Sequence, residues 1–175
     1  MGDPGLAFDR GITVKPEVML IEDVLGEVAS GRLRVPRFQR PFVWRPEQMA
    51  DLFDSIDRGF PIGSLLVWET DEELASLDTV GGLPVPTRRD GNLAYVLDGH
   101  QRLSTLFGTL RRPADSPRGA QQADWIWWVY RELGAKDRPN PFVHWKYDRR
   151  PPRYLSPFAG RSPNNGLPGL REATL

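Results

Sequence analysis

The sequence predicts a small α+β domain. Three observations point that way: apolar stripes at helical spacing, short apolar or aromatic runs bounded by Gly and Pro, and no repeat at any fixed period. The expected order is helix, short strand, helix, strand, loop, strand, helix, strand, strand.

Residues 1–16 carry Gly and Pro and read as a loose lead-in to a domain spanning 17–150. Leu20, Ile21, Val24, Leu25 and Val28 recur at helical spacing, and Gly31 follows as a stop. LRVP (33–36) is a short extended piece, because a residue before proline is biased toward the β region. Pro46 suits a first helical turn, where its missing N–H costs nothing, and Glu47 suits the positive end of the helix dipole. Met49, Leu52, Phe53 and Ile56 then form one stripe at i, i+3, i+4, i+7, and Gly59 ends the helix. SLLVWE (64–69) is a short apolar run and reads as a strand. The polar stretch 71–92 reads as an irregular excursion closing in a turn at DGN (90–92), and LAYVLD (93–98) as a strand. Leu103, Leu106, Phe107 and Leu110 place a helix over about 100–110, with Arg111 and Arg112 at its negative end and Pro113 as the stop.

After a loop at 113–124, WIWWVYREL (125–133) and FVHWKYD (142–148) read as strands, antiparallel partners across GAKDRPNP. Beyond Asp148 the chain is rich in Pro and Gly and is expected to be irregular. Residues 151–175 are a tail or the start of a truncated region, and LREATL fits either a natural end or the first turn of a longer helix.

Hydrophobic residues make up 39 % and charged residues 26 % of the 175, an ordinary globular balance. Lys+Arg and Asp+Glu are both 23, so global charge gives no vote for nucleic acid, although a local basic patch is all that binding needs. There is no cysteine, which excludes disulfides, thiolate metal sites and a thiol nucleophile. The start, MGDPGLAFDR, lacks the pattern of a signal peptide, and no window is long and apolar enough to span a membrane. A cytoplasmic protein without a membrane partner is expected.

DGHQR (98–102) stands between two core-like runs. A strand ending in Asp-Gly and leading at once into a helix exposes free backbone N–H groups, which favour an anion. Gly99 permits the tight bend and a close approach of ligand to backbone. Arg102, in the first turn, is poorly placed for the helix dipole and needs a carboxylate such as Asp98, or a bound phosphate, to hold it. His100 can donate to an oxyanion or pass a proton, and Ser104 and Thr105 add hydroxyls one turn in. The plainer alternative is a capped helix, with Asp98 at or near the N-cap and Arg102 paired to a surface carboxylate.

RFQRPFVWR (37–45) is a second cluster. Arg37, Gln39, Arg40, Trp44 and Arg45 are side chains that reach phosphates, base edges or stacked bases. Trp44 also suits a hydrophobic staple at the start of the following helix, with the arginines solvated. Arg40 is less easily dismissed, because Pro36 and Pro41 pin its segment. His144 alternates with apolar neighbours and is expected to satisfy a structural hydrogen bond.

Together the two clusters resemble a known family. PRFQRPFVWRPEQMADLFDSIDRGFPIGSLLVWE looks like its IPxYQRxYxW segment followed by a helix and a PIGSILL strand, and YVLDGHQRLSTL looks like its DGQQRLTTL segment. The family is the N-terminal domain shared by GmrSD-type modification-dependent restriction enzymes and SspE-like effectors of phosphorothioate-based phage defence. The resemblance covers roughly residues 20–110 and implies a ParB/sulfiredoxin-like fold with a small mixed or antiparallel sheet and packed helices. It implies binding or hydrolysis of ATP or GTP at the DGHQR segment, with Mg²⁺ if catalytic, coupled to cleavage of modified, phosphorothioated or otherwise foreign DNA. By position, Asp98, Gly99, Gln101 and Arg102 match DGxQR, and Gln39, Arg40 and Trp44 match QRxxxW. The departure is His100, where the family usually has Gln, and it bears on the hydrolytic step. An HNH-type nuclease domain or partner is implied, since no such cluster lies within the 175 residues.

Three functions are therefore set against one another. In the first, an NTP-binding and NTP-hydrolysing sensor domain, Asp98, His100, Gln101 and Arg102 are catalytic, and Gly99, Arg102, Ser104, Arg40 and Gln39 bind nucleotide. Arg37, Arg40, Trp44 and Arg45 face DNA, and Asp98 orients water or holds Mg²⁺. The second is a metal-dependent nuclease or nickase with Asp98 as ligand, which one carboxylate supports thinly. The third is a non-catalytic, nucleotide-gated DNA-binding module.

Overall fold

A computed structural model of the chain describes residues 15–87, 92–113, 124–134, 138–146 and 151–157. It shows an α+β domain whose main sheet and three helices share one core.

Helix α1 (Ile21–Ala29) buries Ile21, Val24, Leu25 and Val28 of the first stripe, whereas Leu20 stands at the N-cap and is exposed. Strand β1 (Leu33–Arg34) leads to α2 (Pro46–Asp57), with proline in its first turn and Met49, Leu52, Phe53 and Ile56 inward. Strands β2 (Leu66–Thr70) and β5 (Leu93–Asp98) complete a three-stranded sheet of order β1-β5-β2, in which β1 runs parallel and β2 antiparallel to β5. Helix α3 (His100–Leu110) follows β5 after a single residue and buries Leu103, Leu106, Phe107 and Leu110 against Val96, α1 and α2. Each such side chain stabilises the fold by roughly 1.5–3 kcal/mol relative to exposure.

The excursion at 71–92 holds more structure than its polarity suggests. Leu77 and Arg37 donate backbone hydrogen bonds across to Val35 and Ala75, extending the edge beyond β1. Strands β3 (Thr79–Val80) and β4 (Leu83–Pro84) form a hairpin around Gly81 and Gly82, both at positive φ. A Gly-Gly pair between two short extended runs is a hairpin signal. This turn lies directly on α3 at Gly108, where two backbones meet without side chains between them. Arg112 locks the contact, donating from Nε to the Gly108 carbonyl and from Nη2 to the Gly81 carbonyl, both at 3.2 Å.

A second sheet of order β7-β6-β8 is antiparallel throughout. Of the strand expected over 125–133, Trp125–Trp127 is a 3₁₀ turn, and β6 is confined to Val129–Glu132. Its partner β7 is Phe142–His144. Strand β8 (Leu155–Pro157) takes the place of the irregular chain expected past Asp148, pairing with β6 and packing Leu155 against Trp128 and Tyr130. Helix α2 joins the two sheets: Asp57 pairs with Arg131 at 2.8 Å, Asp51 accepts from Asn140 at 3.0 Å, and Phe53 packs on Phe142. His144 Nε2 meets the Pro46 carbonyl at 3.0 Å, a structural bond as expected. The lead-in up to residue 14, most of the DGN turn, most of the 113–124 loop and the tail beyond 157 lie outside the described residues.

Candidate functional site

The bend between β5 and α3 follows from one residue. Gly99 caps α3 in the left-handed region, at φ 90° and ψ 6°, so the chain leaves the strand and starts the helix with no intervening loop. Asp98, the last strand residue, keeps a side chain 79 % exposed.

Arg102 does not point away into solvent. Its side chain is only 24 % exposed and turns back toward the chain that precedes β2. Nη2 donates to the Ser64 carbonyl, and a Cβ placed on Gly63 would stand 2.7 Å from Nη1. Gly63, at φ 86°, is thus the floor on which the guanidinium lies. Asp98 Oδ2 is 4.0 Å from Nη2, and the buried Nε has no hydrogen-bond partner. Gly63 and Ser64 were not among the expected site residues. The signal was present as the Gly that precedes the SLLVWE run in FPIGS.

His100 and Gln101 are both buried. Gln101 Oε1 accepts the backbone N–H groups of Val43 at 2.9 Å and Trp44 at 3.3 Å. Its Nε2 donates to the Pro41 carbonyl at 3.0 Å and lies 2.9 Å from His100 Nε2. His100 Nδ1 has no hydrogen-bond partner. Burial, and then the nearby positive charge of Arg40, hold the His100 pKa below the usual histidine value; the Arg40 backbone and Asp98 offset only part of this. Ser104 and Thr105 lie deeper. Ser104 is buried beneath the Gly81 turn, and the Thr105 hydroxyl donates to the Gln101 carbonyl at 2.9 Å.

The second cluster wraps around the same bend. Gln39 Nε2 donates to the carbonyls of Leu97 at 2.8 Å and Val96 at 3.2 Å, gripping the end of β5. The two motif glutamines thus stitch the segments together reciprocally: Gln39 holds the strand before the bend, and Gln101 holds the 41–44 strap from beyond it. Arg40 is exposed, and its guanidinium makes no hydrogen bond or ion pair among the described residues, although its charge reaches His100. Arg37 is already engaged, by the Ser76 carbonyl at 3.0 Å and Asp78 at 3.1 Å. Arg45 is exposed at the N-cap of α2, its backbone N–H bonded to Gln48 Oε1 at 3.0 Å. Trp44 packs partly against the main core, and Phe42 packs on Trp127 with ring centroids 4.7 Å apart. The aromatic ring this segment leaves exposed is Phe38, at 69 %.

Asp98, Gly99, Arg102, His100 and Arg40 therefore gather at one bend, with Gln39 and Gln101 as its stitching. Arg37 and Ser104 are turned to other tasks. The described residues contain no group of three His, Cys, Asp or Glu side chains able to hold a metal ion. No helix among them is long and apolar enough to cross a membrane.

Residues 21–159 match the family model described as the GmrSD restriction endonuclease, N-terminal domain. The chain is also similar to an uncharacterized protein of Methanocaldococcus jannaschii, 32 % identical over 97 residues, which are 52 % of this chain and 17 % of that protein. The chain thus spans a small part of the length of that relative.

Proposed function

The chain belongs to the family of GmrSD restriction endonuclease N-terminal domains, and on that premise we propose that it is the nucleoside-triphosphate-binding and -hydrolysing sensor domain of a DNA restriction or antiphage defence protein. The reading is carried by one arrangement. A left-handed glycine opens the N-terminus of α3, and Arg102 is held beside it on the Gly63 floor with an unpartnered Nε. Free N–H groups at 99–102 and a seated guanidinium form a receptor for phosphate oxygens. Arg40, exposed and without an ion pair among the described residues, adds a second positive charge at the same bend.

Asp98 is the exposed carboxylate there and is the residue to orient an attacking water or share a Mg²⁺ ion with the phosphates. Mg²⁺ suits such a site, because it keeps several waters and needs only one or two carboxylates beside a triphosphate. When bound it would neutralise charge on the phosphate oxygens. Protein ligands for a stand-alone nickase centre do not gather among the described residues, and that alternative draws no support from them.

Arg40 and Arg45, with exposed Phe38 nearby in sequence, are the residues through which modified or phosphorothioated DNA would be contacted. Cleavage itself would fall to an HNH-type nuclease domain or partner. A specific observation favours a second reading, a nucleotide-gated module without hydrolysis: Gln101 is bonded to the 41–44 strap and His100 Nε2 faces Gln101, so neither offers a free base.

Phosphate release from ATP and GTP with Mg²⁺, measured for the wild type, R102A and D98A, decides between the two. Loss of release in both variants is expected. Binding without release by the wild type selects the gated module, and no binding of either nucleotide overturns the proposal.

A further inference from the structure

The neighbourhood of His100 fixes more than its burial. We infer that Gln101 is a positioning residue that holds His100 in the neutral Nδ1–H tautomer, so that His100 serves the bend as a hydrogen-bond donor to an anionic oxygen and not as a proton acceptor. The tautomer follows from the hydrogen bonds alone. The identity of the acceptor rests on the phosphate reading given above.

The chain of assignments starts at the strap. The backbone N–H groups of Val43 and Trp44 can only donate, so the Gln101 atom that faces them at 2.9 and 3.3 Å is the carbonyl oxygen. The other end of the carboxamide is then NH₂, with two protons to give. One goes to the Pro41 carbonyl at 3.0 Å, and the other is directed at His100 Nε2, 2.9 Å away. An N–H facing a ring nitrogen requires a lone pair on that nitrogen. The single proton of the neutral imidazole therefore sits on Nδ1.

Nδ1 is buried and makes no close hydrogen bond, in a residue only 5 % exposed; the Arg40 backbone lies near the ring and itself favours a ring N–H. A buried N–H without a well-formed bond leaves room for a better acceptor. The surroundings favour an anionic oxygen: His100 is the first residue of α3, where backbone N–H groups are free, and the Arg40 charge lies near. A general base needs an available lone pair. The one lone pair of this ring is occupied by Gln101, so the ring can give a hydrogen bond but cannot take a proton from water while the strap is docked.

The test is long-range ¹H–¹⁵N spectroscopy on the protein at a pH where both rings are neutral. The chain has two histidines, which supply an internal contrast. His144 Nε2 lies 3.0 Å from the Pro46 carbonyl, its closest hydrogen-bond contact, which favours a proton on Nε2. One ring of each tautomer is expected, with H144Q assigning the signals. Two Nε2–H rings overturn the inference. In Q101A the His100 signal should lose its fixed Nδ1–H pattern, which a purely space-filling role for Gln101 would leave intact. Should Q101A fail to fold, the wild-type spectrum alone decides the tautomer. Tripolyphosphate, followed by calorimetry and by the same spectrum, tests the acceptor. Binding that moves the His100 Nδ1 resonance supports it, with H100Q keeping affinity within a few-fold and H100A losing about tenfold. Binding that leaves that resonance still overturns the donor role. If neither tripolyphosphate nor ATP binds, the donor role falls together with the proposed function, while the tautomer assignment stands or falls on the ligand-free spectrum.

Discussion

The side-chain oxygen of Gln101 accepts the backbone N–H of Val43 at 2.9 Å, joining residues 58 apart in sequence and binding two motif segments into one unit. Gln101 satisfies backbone groups of Pro41, Val43 and Trp44, and no other side chain in the described residues does so. Q101A should therefore leave partly buried donors and an acceptor unpaired, lowering stability by about 1–3 kcal/mol. Urea denaturation measures the loss. Hydrogen exchange at Val43 and Trp44 should accelerate more than in the interior of α3; uniform acceleration would show that the strap is not tied through this amide.

The seat of Arg102 makes a sharper distinction between stability and binding. In G63A the new methyl would meet Nη1 at 2.7 Å, on a backbone with φ 86° that side chains avoid. The guanidinium must leave the floor. A charge-assisted hydrogen bond is worth about 1.5–3 kcal/mol, so nucleotide affinity should fall tenfold or more in G63A, comparable to R102A. Calorimetric titration with ATP reads this. In the double variant the two losses should not add, because both remove the same contact.

At Gly108 two effects oppose one another. Replacing a helical glycine with alanine ordinarily gains up to about 1 kcal/mol. Here the added methyl would run into the Gly81 backbone and stand 2.7 Å from the Trp127 ring. Overpacking of a close backbone contact costs about 1–3 kcal/mol, and Arg112 bridges the same two carbonyls. G108A should be net destabilising, seen as a lower thermal midpoint. An unchanged or raised midpoint would mean that the hairpin yields easily.

How much of this was legible in the chain differs between its parts. Helices α1, α2 and α3 were readable because each buries one stripe, and 3.6-residue periodicity is a local property. Strand β5 was readable because an apolar run ended at Asp98-Gly99. The β3–β4 hairpin was obscured because two strands of two residues are too short to show a period inside a polar stretch, although Val80 reaches the core. Strand β8 was hidden for a related reason: three residues in a Pro-rich stretch carry no period, and only the partner β6 makes them a strand. At the site, the residue types of both clusters were visible, but their division of labour was not. Gln101 reads as a reactive group in DGHQR, yet its partners lie at 41–44, and only the fold brings them within reach. Trp44 and Phe42, plausible for stacking on a base, pack instead on the core and on Trp127, while Phe38 is left outside.

Stability should fall on the acid side of neutrality. Burial drives the His144 pKa below its ordinary value of 6.5, and the Pro46 carbonyl and Glu47 only partly offset this. The folded state therefore binds fewer protons than the unfolded chain, and stability rises with pH in that window. The contribution is fully present above about pH 6.5, and is lost as pH falls from there through the lower folded-state pKa. His100 adds a change of the same sign. Urea midpoints between pH 7.5 and pH 5 should decline in the wild type and decline less in H144Q. An equal slope in both would remove His144 as a source.

Arg40 separates the surface from the scaffold. Its guanidinium is exposed and makes no hydrogen bond or ion pair among the described residues, so R40A should change stability by less than about 0.5 kcal/mol. Arg37, by contrast, is spent on Ser76 and Asp78, and its replacement should loosen the 76–78 segment. If Arg40 contacts a DNA phosphate, R40A should weaken DNA binding uniformly across sequences and flatten the dependence of log affinity on log salt by about one unit. If its charge serves the nucleotide instead, R40A should lower ATP affinity and leave the DNA salt slope unchanged. Fluorescence anisotropy over a salt series, with and without ATP, reads both quantities on one sample. A variant that moves neither would leave Arg40 a solvated side chain and reduce the phosphate receptor to Arg102 and the α3 N-terminus.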